Sequence, residues 1–417
     1  MKVKTRSKAA DNTHLAPVGV TVTHVGVEQA TLKWASRGKN LRYRVALSTS
    51  PTFTNSTYRY VNTTTATIPH LAGGRTYYAR VRVVSKTINA NLGAESAPVT
   101  FTTGPAPTGS GQPATVTVSS YNIGAQSVNT GGSWNSRRKT VAATIRNQKP
   151  DVIGLQEAGQ GKVKPGKDLS QAEDLLGLLG APYVLANTAR YNCQNATSPH
   201  KCKPQHQGAS NSQKIAYNTR TLTLLSHGSK RTSSSKTKFT EHRYVEWATF
   251  QHKTTGRQFL VVNVHLDPGT KQAAMRKTQT RQVLEAIKTN NPHQLPVYVV
   301  GDFNSHKWTT PANTPYDMMT AASYVDPLGN TWKSTTTAPG ATVQQRIRTN
   351  YSSYNGWKRT GAHKPGWING IYLDYIFTSP GVDVVEWETV VNTDTKGNLS
   401  GTIGSDHNML RATTQLP

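Results

Sequence analysis

The sequence predicts a small all-β sandwich followed by a larger α/β domain, a two-sheet core with helices outside. Three observations carry this. Residues 15–103 read as short strands of alternating apolar and polar residues, with Gly, Asn and Pro in the gaps. The stretch TGPAPTGSGQPA (103–114) is uncharged and rich in Gly, Pro, Ser and Thr, the composition of a linker. Beyond it strands alternate with helices, and strand after strand ends in an acidic, amide or imidazole residue. The expected divisions are therefore 15–103, a linker over 104–114, and 115–417. At 417 residues the chain is too long for one ordinary core.

In the first division ATLKWAS, RYRVALSTS, YRYVNTTTATIP, TYYARVRVVS and APVTFTT alternate apolar and polar positions. Trp34 lies in an early strand. Leu71 precedes Tyr77 by six residues in HLAGGRTYYARV, the spacing expected when a tyrosine hydroxyl tucks back onto the preceding corner. This stretch resembles a fibronectin type III module over nearly its full length. It has no paired cysteines, which fits that family better than antibody domains, and its aromatics read as core.

In the second division SRRKTVAATIRNQ (136–148) is an amphipathic helix, stopped by Pro150 before the strand DVIGLQE. DLSQAEDLLGLLG (168–180) starts with an acid and stops at Gly180, ordinary helix start and stop chemistry. KIAYNTRTLTLLS and YVEWATFQHKTTGRQFLVVNVHL read as antiparallel strand pairs, the second turning at Thr255-Gly256. AAMRKTQTRQVLEAIKTN (273–290) is a helix leading into the strand VYVVGD. Cys193 and Cys202 lie in the irregular polar segment YNCQNATSPHKC. A disulfide closing that loop is favoured over free thiols, and a zinc site lacks ligands.

The 48 Lys and Arg against 21 Asp and Glu give a net charge of +27. Residues 1–112 hold 14 basic against 3 acidic side chains and the remainder 34 against 18, so the charge is not confined to a tail. Such a field concentrates polyanions. Nucleic acid or an anionic lipid surface is the sharper reading, and solubility or adhesion to an anionic wall the duller one. No apolar run approaches the roughly 18–20 residues that cross a bilayer, which excludes a membrane-spanning helix. The start MKVKTRSKAADNTHLAPVG is basic without an apolar h-region, so no complete signal peptide is visible. Few charges and much Thr, Ser, Asn and Gly nonetheless favour a secreted protein, expected to be a monomer.

The chemistry lies in six segments: SSYNIG, DVIGLQEAG, LVVNVHLDP, VYVVGDFNSH, YLDYIFTS and GSDHNML. Glu157, alone, would be a strand reaching solvent; in company its oxygens suit a hard cation such as Mg2+. Asn122, alone a turn residue, is a donor able to orient a phosphate oxygen or a metal-bound water. Gly301 permits a sharp turn after which Asp302 and Asn304 point the same way, an acceptor for water beside a donor for phosphate. His407 can donate to a phosphate oxygen, with Asp374 holding it in one tautomer and protonated. His265, at a strand end, is a candidate acid for the leaving oxygen.

Taken together, in this order, the segments YN, LQE, NVHL, GDFN, LDYIF and SDH resemble the endonuclease/exonuclease/phosphatase superfamily over about 115–417. That resemblance implies a four-layered α/β sandwich of two mostly antiparallel sheets flanked by helices, with the site at their shared edge. It implies a divalent cation, Mg2+ with Mn2+ or Ca2+ as alternatives, bound by Glu157 with Asn122 and Asp406 beside it. It makes Asp302 the residue that activates or orients water, Asn304 the phosphate holder, and His407 with Asp374 the phosphate-contacting pair. His265 matches the second histidine of deoxyribonuclease I-like and phosphatase members. The partner position of that histidine is Asn211 or a neighbour, a phosphatase-type departure, and Arg243 is placed near the phosphate by a weak motif.

Substrate choice belongs to loops outside these strands. The segment YSSYNGWKRTGAHKPGW (351–367), ending at Trp367, interleaves aromatics and cations that suit frayed nucleic acid or a membrane interface, with a plain structured loop as the duller alternative. The leading expectation is a secreted metal-dependent nuclease acting on DNA or RNA, with the first division holding it near an anionic surface polymer. The alternatives are a sphingomyelinase- or inositol-phosphatase-like lipid phosphoesterase and a non-catalytic adhesion protein.

Overall fold

In the computed structural model the chain divides into two units, Met1–Thr108 and Gly109–Pro417. The described residues are 15–26, 29–38, 41–54, 56–68, 71, 74–84, 91–104, 113–126, 131–159, 163, 169–187, 212–234, 243–307, 314–330 and 340–416. Cys193, Cys202 and Asn211 lie outside them.

The first unit holds β1 (Thr21–Val25), β2 (Ala30–Lys33), β3 (Arg42–Ser48), β4 (Thr57–Val61), β5 (Thr65–Ile68), β6 (Thr76–Val84), β7 (Asn91–Glu95) and β8 (Val99–Thr102). One sheet runs β1-β2-β5; the other runs β4-β3-β6-β7, with β8 also on β6. The period of two is clean in β6, where Tyr77, Ala79, Val81 and Val83 are buried and the residues between them are not. These side chains meet Leu32, Tyr43 and Val45 in one core. Trp34 sits just past β2 and packs edge-on against Tyr43, ring centroids 5.4 Å apart. The strands β1 and β7 carried no signal in the sequence beyond a few polar-flanked residues.

The second unit holds β9 (Ala114–Asn122), α1 (Trp134–Gln148), β10 (Val152–Gln156), α2 (Gln171–Leu179), β11 (Tyr183–Leu185), β12 (Lys214–Asn218), β13 (Leu222–Arg231), β14 (Tyr244–His252), β15 (Gln258–His265), α3 (Ala273–Asn290), β16 (Val297–Asp302), α4 (Thr314–Ala321), β17 (Gln345–Ile347), β18 (Asp374–Thr378), β19 (Asp383–Val390) and β20 (Met409–Leu416). A seven-stranded sheet runs β11-β12-β10-β9-β20-β19-β17 and a five-stranded sheet runs β13-β14-β15-β16-β18. Three pairs are parallel, β9 with β10, β15 with β16 and β17 with β19; the others are antiparallel.

The sheets face each other through β9, β10, β15 and β16. These strands are buried along nearly their whole length because a sheet covers one face and helices the other. Val116, Val118, Val261 and Val300 fill the space between the sheets, on the strand faces that also carry Asn263 and Gly154. Val141, Ile145 and Leu175 of α1 and α2 cover Ile153 and Leu155 of the seven-stranded sheet. Val283, Ile287 and Met319 of α3 and α4 join the core of the five-stranded sheet. Four layers result, two of helices around two of sheet. The approach is close at Gly154, where a Cβ would lie 2.4 Å from Val300 Cγ2.

Local chemistry sets the helix ends. Ser170 caps α2: its hydroxyl accepts from the Glu173 amide at 3.2 Å and the Glu173 carboxylate accepts from the Ser170 amide at 2.9 Å. The helix therefore starts at Gln171 rather than at the acid expected to open it. The segment KIAYNTRTLTLLS is not a hairpin: β12 pairs with β10 and β11, β13 with β14 in the other sheet. Alternation alone does not reveal a chain crossing between sheets. No helix among the described residues is long and apolar enough to cross a membrane.

Candidate active site

His265, Asp302 and Asp374 stand on one rung of the five-stranded sheet. His265 is the register partner of Asp302 across β15–β16, and Asp302 that of Asp374 across β16–β18. From the seven-stranded sheet, Asn122 ends β9, Glu157 follows β10, and Asp406 and His407 lead into β20. The site is thus the seam where both sheets expose their strand ends. Gly301 makes the rung possible. Its φ is +147° and a Cβ there would lie 2.1 Å from the Val264 carbonyl oxygen.

Asp302 is buried and surrounded. Its Oδ1 accepts from the Asn304 amide at 2.8 Å, with Asn304 in the left-handed region at φ 49°. Its Oδ2 accepts from Asn122 Nδ2 at 3.1 Å and faces His265 Nε2 at 3.5 Å and His407 Nε2 at 3.7 Å. Burial and the Asp374 carboxylate push Asp302 up to about 7, against the pull of His407, the Asn304 amide and Asn122.

The two imidazoles differ in charge. His407 Nδ1 donates to Asp374 Oδ2 at 2.7 Å. Burial works against its charge, but Asp374, Asp302 and Asp406 overcome it and raise His407 to about 10. His265 is held well below the usual range by burial, the Arg243 guanidinium and His407. Arg243 Nη1 donates to His265 Nδ1 at 2.8 Å, which leaves the ring proton on Nε2, towards Asp302. His265 is therefore a neutral donor, and the extra proton expected of it as an acid resides on His407.

Arg243, expected near the phosphate, lies behind His265. It is buried, with Nε 3.3 Å from Asp267 Oδ1, and spends its guanidinium on Asp267 and His265. Asn304 sends Nδ2 to the Leu266 carbonyl at 2.9 Å. Trp367 closes a turn on Lys364, whose ammonium lies 5.8 Å from its ring centroid. The residue of 351–367 seen against a site side chain is Tyr354. It is 46% exposed, bridges to His407 in the backbone and meets its ring edge-on at 5.0 Å.

The resemblance implies a divalent cation, and the donors of the site differ in how well they suit one. Asp302, Asp374 and His407 bring ligand atoms within 4.8 Å of one another. That trio is an ion-paired triad rather than a cation cage, because a protonated imidazole has no lone pair to give. Glu157 and Asp406, both partly exposed, fit a hard cation better. Glu157 takes one hydrogen bond on each oxygen, from Asn122 Nδ2 at 3.1 Å and the Ala125 amide at 2.7 Å, and keeps acceptor capacity. Asn122 differs from the expected ligand: its Oδ1 accepts from the Gly124 amide at 3.0 Å while Nδ2 bridges Glu157 and Asp302.

Two supports were not anticipated. Arg137, fully buried in α1, donates to the carbonyls of Ile123, Gly124 (2.6 Å), Ala125 (3.1 Å) and Gly404 (2.9 Å). It ties the loop beneath Glu157 to the one that carries Asp406. The spacing of Arg137, Val141 and Ile145 on the buried stripe was its only local signal. Gln156 Nε2 donates to Asn263 Oδ1 at 2.7 Å, and Asn263 Nδ2 to the carbonyls of Leu155 and Lys214, pinning the sheets together directly under the site.

The model of the Endonuclease/Exonuclease/phosphatase family matches residues 119–407, well over half the chain. The chain belongs to that family. It is accordingly a hydrolase acting on phosphate ester bonds. Among solved structures, a family protein of Bacteroides thetaiotaomicron is 20% identical, covering 73% of this chain and 99% of its own, with a TM-score of 0.54. A mannosyl-6-phosphatase of the same organism is 20% identical over 72% of this chain and 99% of its own, TM-score 0.53. A Bacteroides vulgatus protein gives 20%, 73%, 100% and 0.52. These likenesses show the fold. No curated protein matches this chain.

Proposed function

We propose that this endonuclease/exonuclease/phosphatase family member is a divalent-metal-dependent phosphodiesterase, a secreted nuclease acting on DNA or RNA. The observation that carries hydrolysis is Asp302 held between the neutral Nε2–H of His265 and the His407 imidazolium. Asp302 takes the proton of the attacking water. His407 donates to the phosphoryl oxygens as negative charge develops, and gives up its proton to the leaving oxygen. His265 adds a second, uncharged donor, and Asn304 fixes the turn that aims Asp302. Glu157 and Asp406 would hold the divalent cation, whose charge would neutralise phosphate.

The nucleic-acid reading rests on charge: residues 113–417 hold 34 basic against 18 acidic side chains. Export and a Cys193–Cys202 disulfide belong to the same reading, and a mass difference of two hydrogens on reduction tests the bond. The first unit fits a fibronectin type III module by its β1-β2-β5 sheet facing β4-β3-β6-β7. A phosphomonoester reading comes from the likeness to the mannosyl-6-phosphatase.

Plasmid DNA, RNA, sphingomyelin and mannose 6-phosphate, offered side by side with Mg2+, Mn2+, Ca2+ or EDTA, decide between these. The proposal expects metal-dependent cleavage of a nucleic acid. Silence on both nucleic acids with turnover of the lipid or the sugar phosphate overturns it.

A further inference from the structure

The outer face of the four-strand run β4-β3-β6-β7 carries an arrangement that core packing does not require. Alternation turns Arg42 and Arg44 of β3, Arg80 and Arg82 of β6, and Tyr58 and Tyr60 of β4 to the same side. The register sets them in rows. Tyr60 stands beside Arg44, Arg44 beside Arg82, and Arg82 beside Glu95; one row along, Tyr58, Ala46 and Arg80 line up. The guanidinium of Arg42 lies 5.0 Å from the Tyr60 ring centroid and that of Arg44 lies 4.8 Å from Tyr58. Tyr58 is 56% and Tyr60 36% exposed.

Glu95 is the only carboxylate among the described residues of this unit. It pairs with Arg44 at 2.6 Å, Arg82 at 3.3 Å and Arg80, so one negative charge stands against four positive ones. Part-exposed phenol rings on an edge strand cost solubility, and like charges across a ladder cost stability. Their common use is a ligand with flat faces and a repeating negative charge.

We propose that this face binds single-stranded nucleic acid, with bases stacking on Tyr58 and Tyr60 and the backbone phosphates meeting the arginine rows. A duplex hides its base faces and leaves the exposed rings without partners; a base-free polyanion uses only the guanidinium groups. The flat, antiparallel platform is the geometry on which stacking recognition of unpaired bases works. This site holds whether or not the second unit cleaves nucleic acid, since it involves none of the catalytic side chains.

The test uses the full chain in EDTA and a fluorescein-labelled oligodeoxythymidylate, read by anisotropy across a salt series. The paired variant Tyr58→Ala, Tyr60→Ala is expected to bind at least about tenfold more weakly, and Tyr58→Phe, Tyr60→Phe to bind as the parent does. Arg42→Gln is expected to lower the slope of log affinity against log salt by about 0.7. Turnover of bis(4-nitrophenyl) phosphate with metal restored is expected to be the same in all of them, which separates this site from the catalytic one. Parent-like affinity in the alanine pair overturns the proposal. So does an equally tight complex with a duplex of the same length, or competition by inorganic polyphosphate equal to that of the oligonucleotide, phosphate for phosphate.

Discussion

Asp302 and Asp374 face each other directly across the β16–β18 ladder, both buried. Two carboxylates so placed repel unless a positive charge reaches both. His407 is that charge, with Nδ1 2.7 Å from Asp374 and Nε2 3.7 Å from Asp302. The two carboxylates are thus held together by the imidazolium that the proposed mechanism uses as its acid, which would couple stability to chemistry at one residue.

The first prediction concerns pH and stability. His407 is raised from 6.5 to about 10 on folding. A raised basic group stabilises fully below its unfolded value, so this contribution is present below about pH 6.5 and is lost as pH rises through 10. Asp302, raised from 3.8 to about 7, contributes in the same direction: its strain is absent in acid and complete above pH 7. In EDTA the melting temperature of the parent is expected to fall between pH 6.5 and 10 more steeply than that of His407→Gln. Equal slopes in the two proteins would show that His407 is not charged in the fold.

Removing the acid has a kinetic signature as well. His407→Ala is expected to lower kcat by about 10^2–10^4, the ordinary worth of general acid–base catalysis. Asp374→Asn is expected to leave His407 present but less basic, moving the alkaline limb of the kcat profile to lower pH. A limb that stays in place in Asp374→Asn would separate the two residues functionally.

Arg137 offers a prediction about the cation. Arg137→Ala leaves four carbonyls without their donor and loosens the loops below Glu157 and Asp406. The Mg2+ concentration for half-maximal activity is expected to rise by about tenfold or more, as when supports of a metal ligand are lost. Unchanged metal dependence in a folded variant would confine Arg137 to a packing role.

Much of this site was legible because each motif sits at a strand end, where local alternation stops and a polar residue stands alone. Glu157, Asp302 and His407 stand out through that placement taken together with the order of the six segments. The parts that were not legible depend on contacts between distant segments. Arg137 reaches Gly404 across 267 positions, and no local pattern signals a carbonyl that far away. Arg243 carries only a weak motif in the sequence, and its pairing with Asp267 and His265 depends on residues more than twenty positions away. Tyr354 was inside a segment marked for its aromatics, but only the backbone bridge to His407 selects it over Trp367. The split of β12 and β13 between two sheets is likewise set by packing, since both alternate alike.

Gly301 gives the sharpest structural prediction. Gly301→Ala drives a methyl group into the Val264 carbonyl oxygen at a backbone angle that L-residues avoid. Urea unfolding is expected to show a loss of about 3 kcal/mol or more, and the His265–Asp302 rung moves with it. A loss below about 0.5 kcal/mol would mean that the strands separate easily there.

The measurement that bears most directly on the account is turnover of bis(4-nitrophenyl) phosphate by Asp302→Asn, beside its melting temperature in EDTA. The substitution keeps the shape and removes one of the two opposed carboxylates. The account predicts turnover lower by about 10^3-fold or more with a melting temperature equal to or above that of the parent. Near-parental turnover by the folded variant would contradict it, because the proton of the attacking water would then go elsewhere.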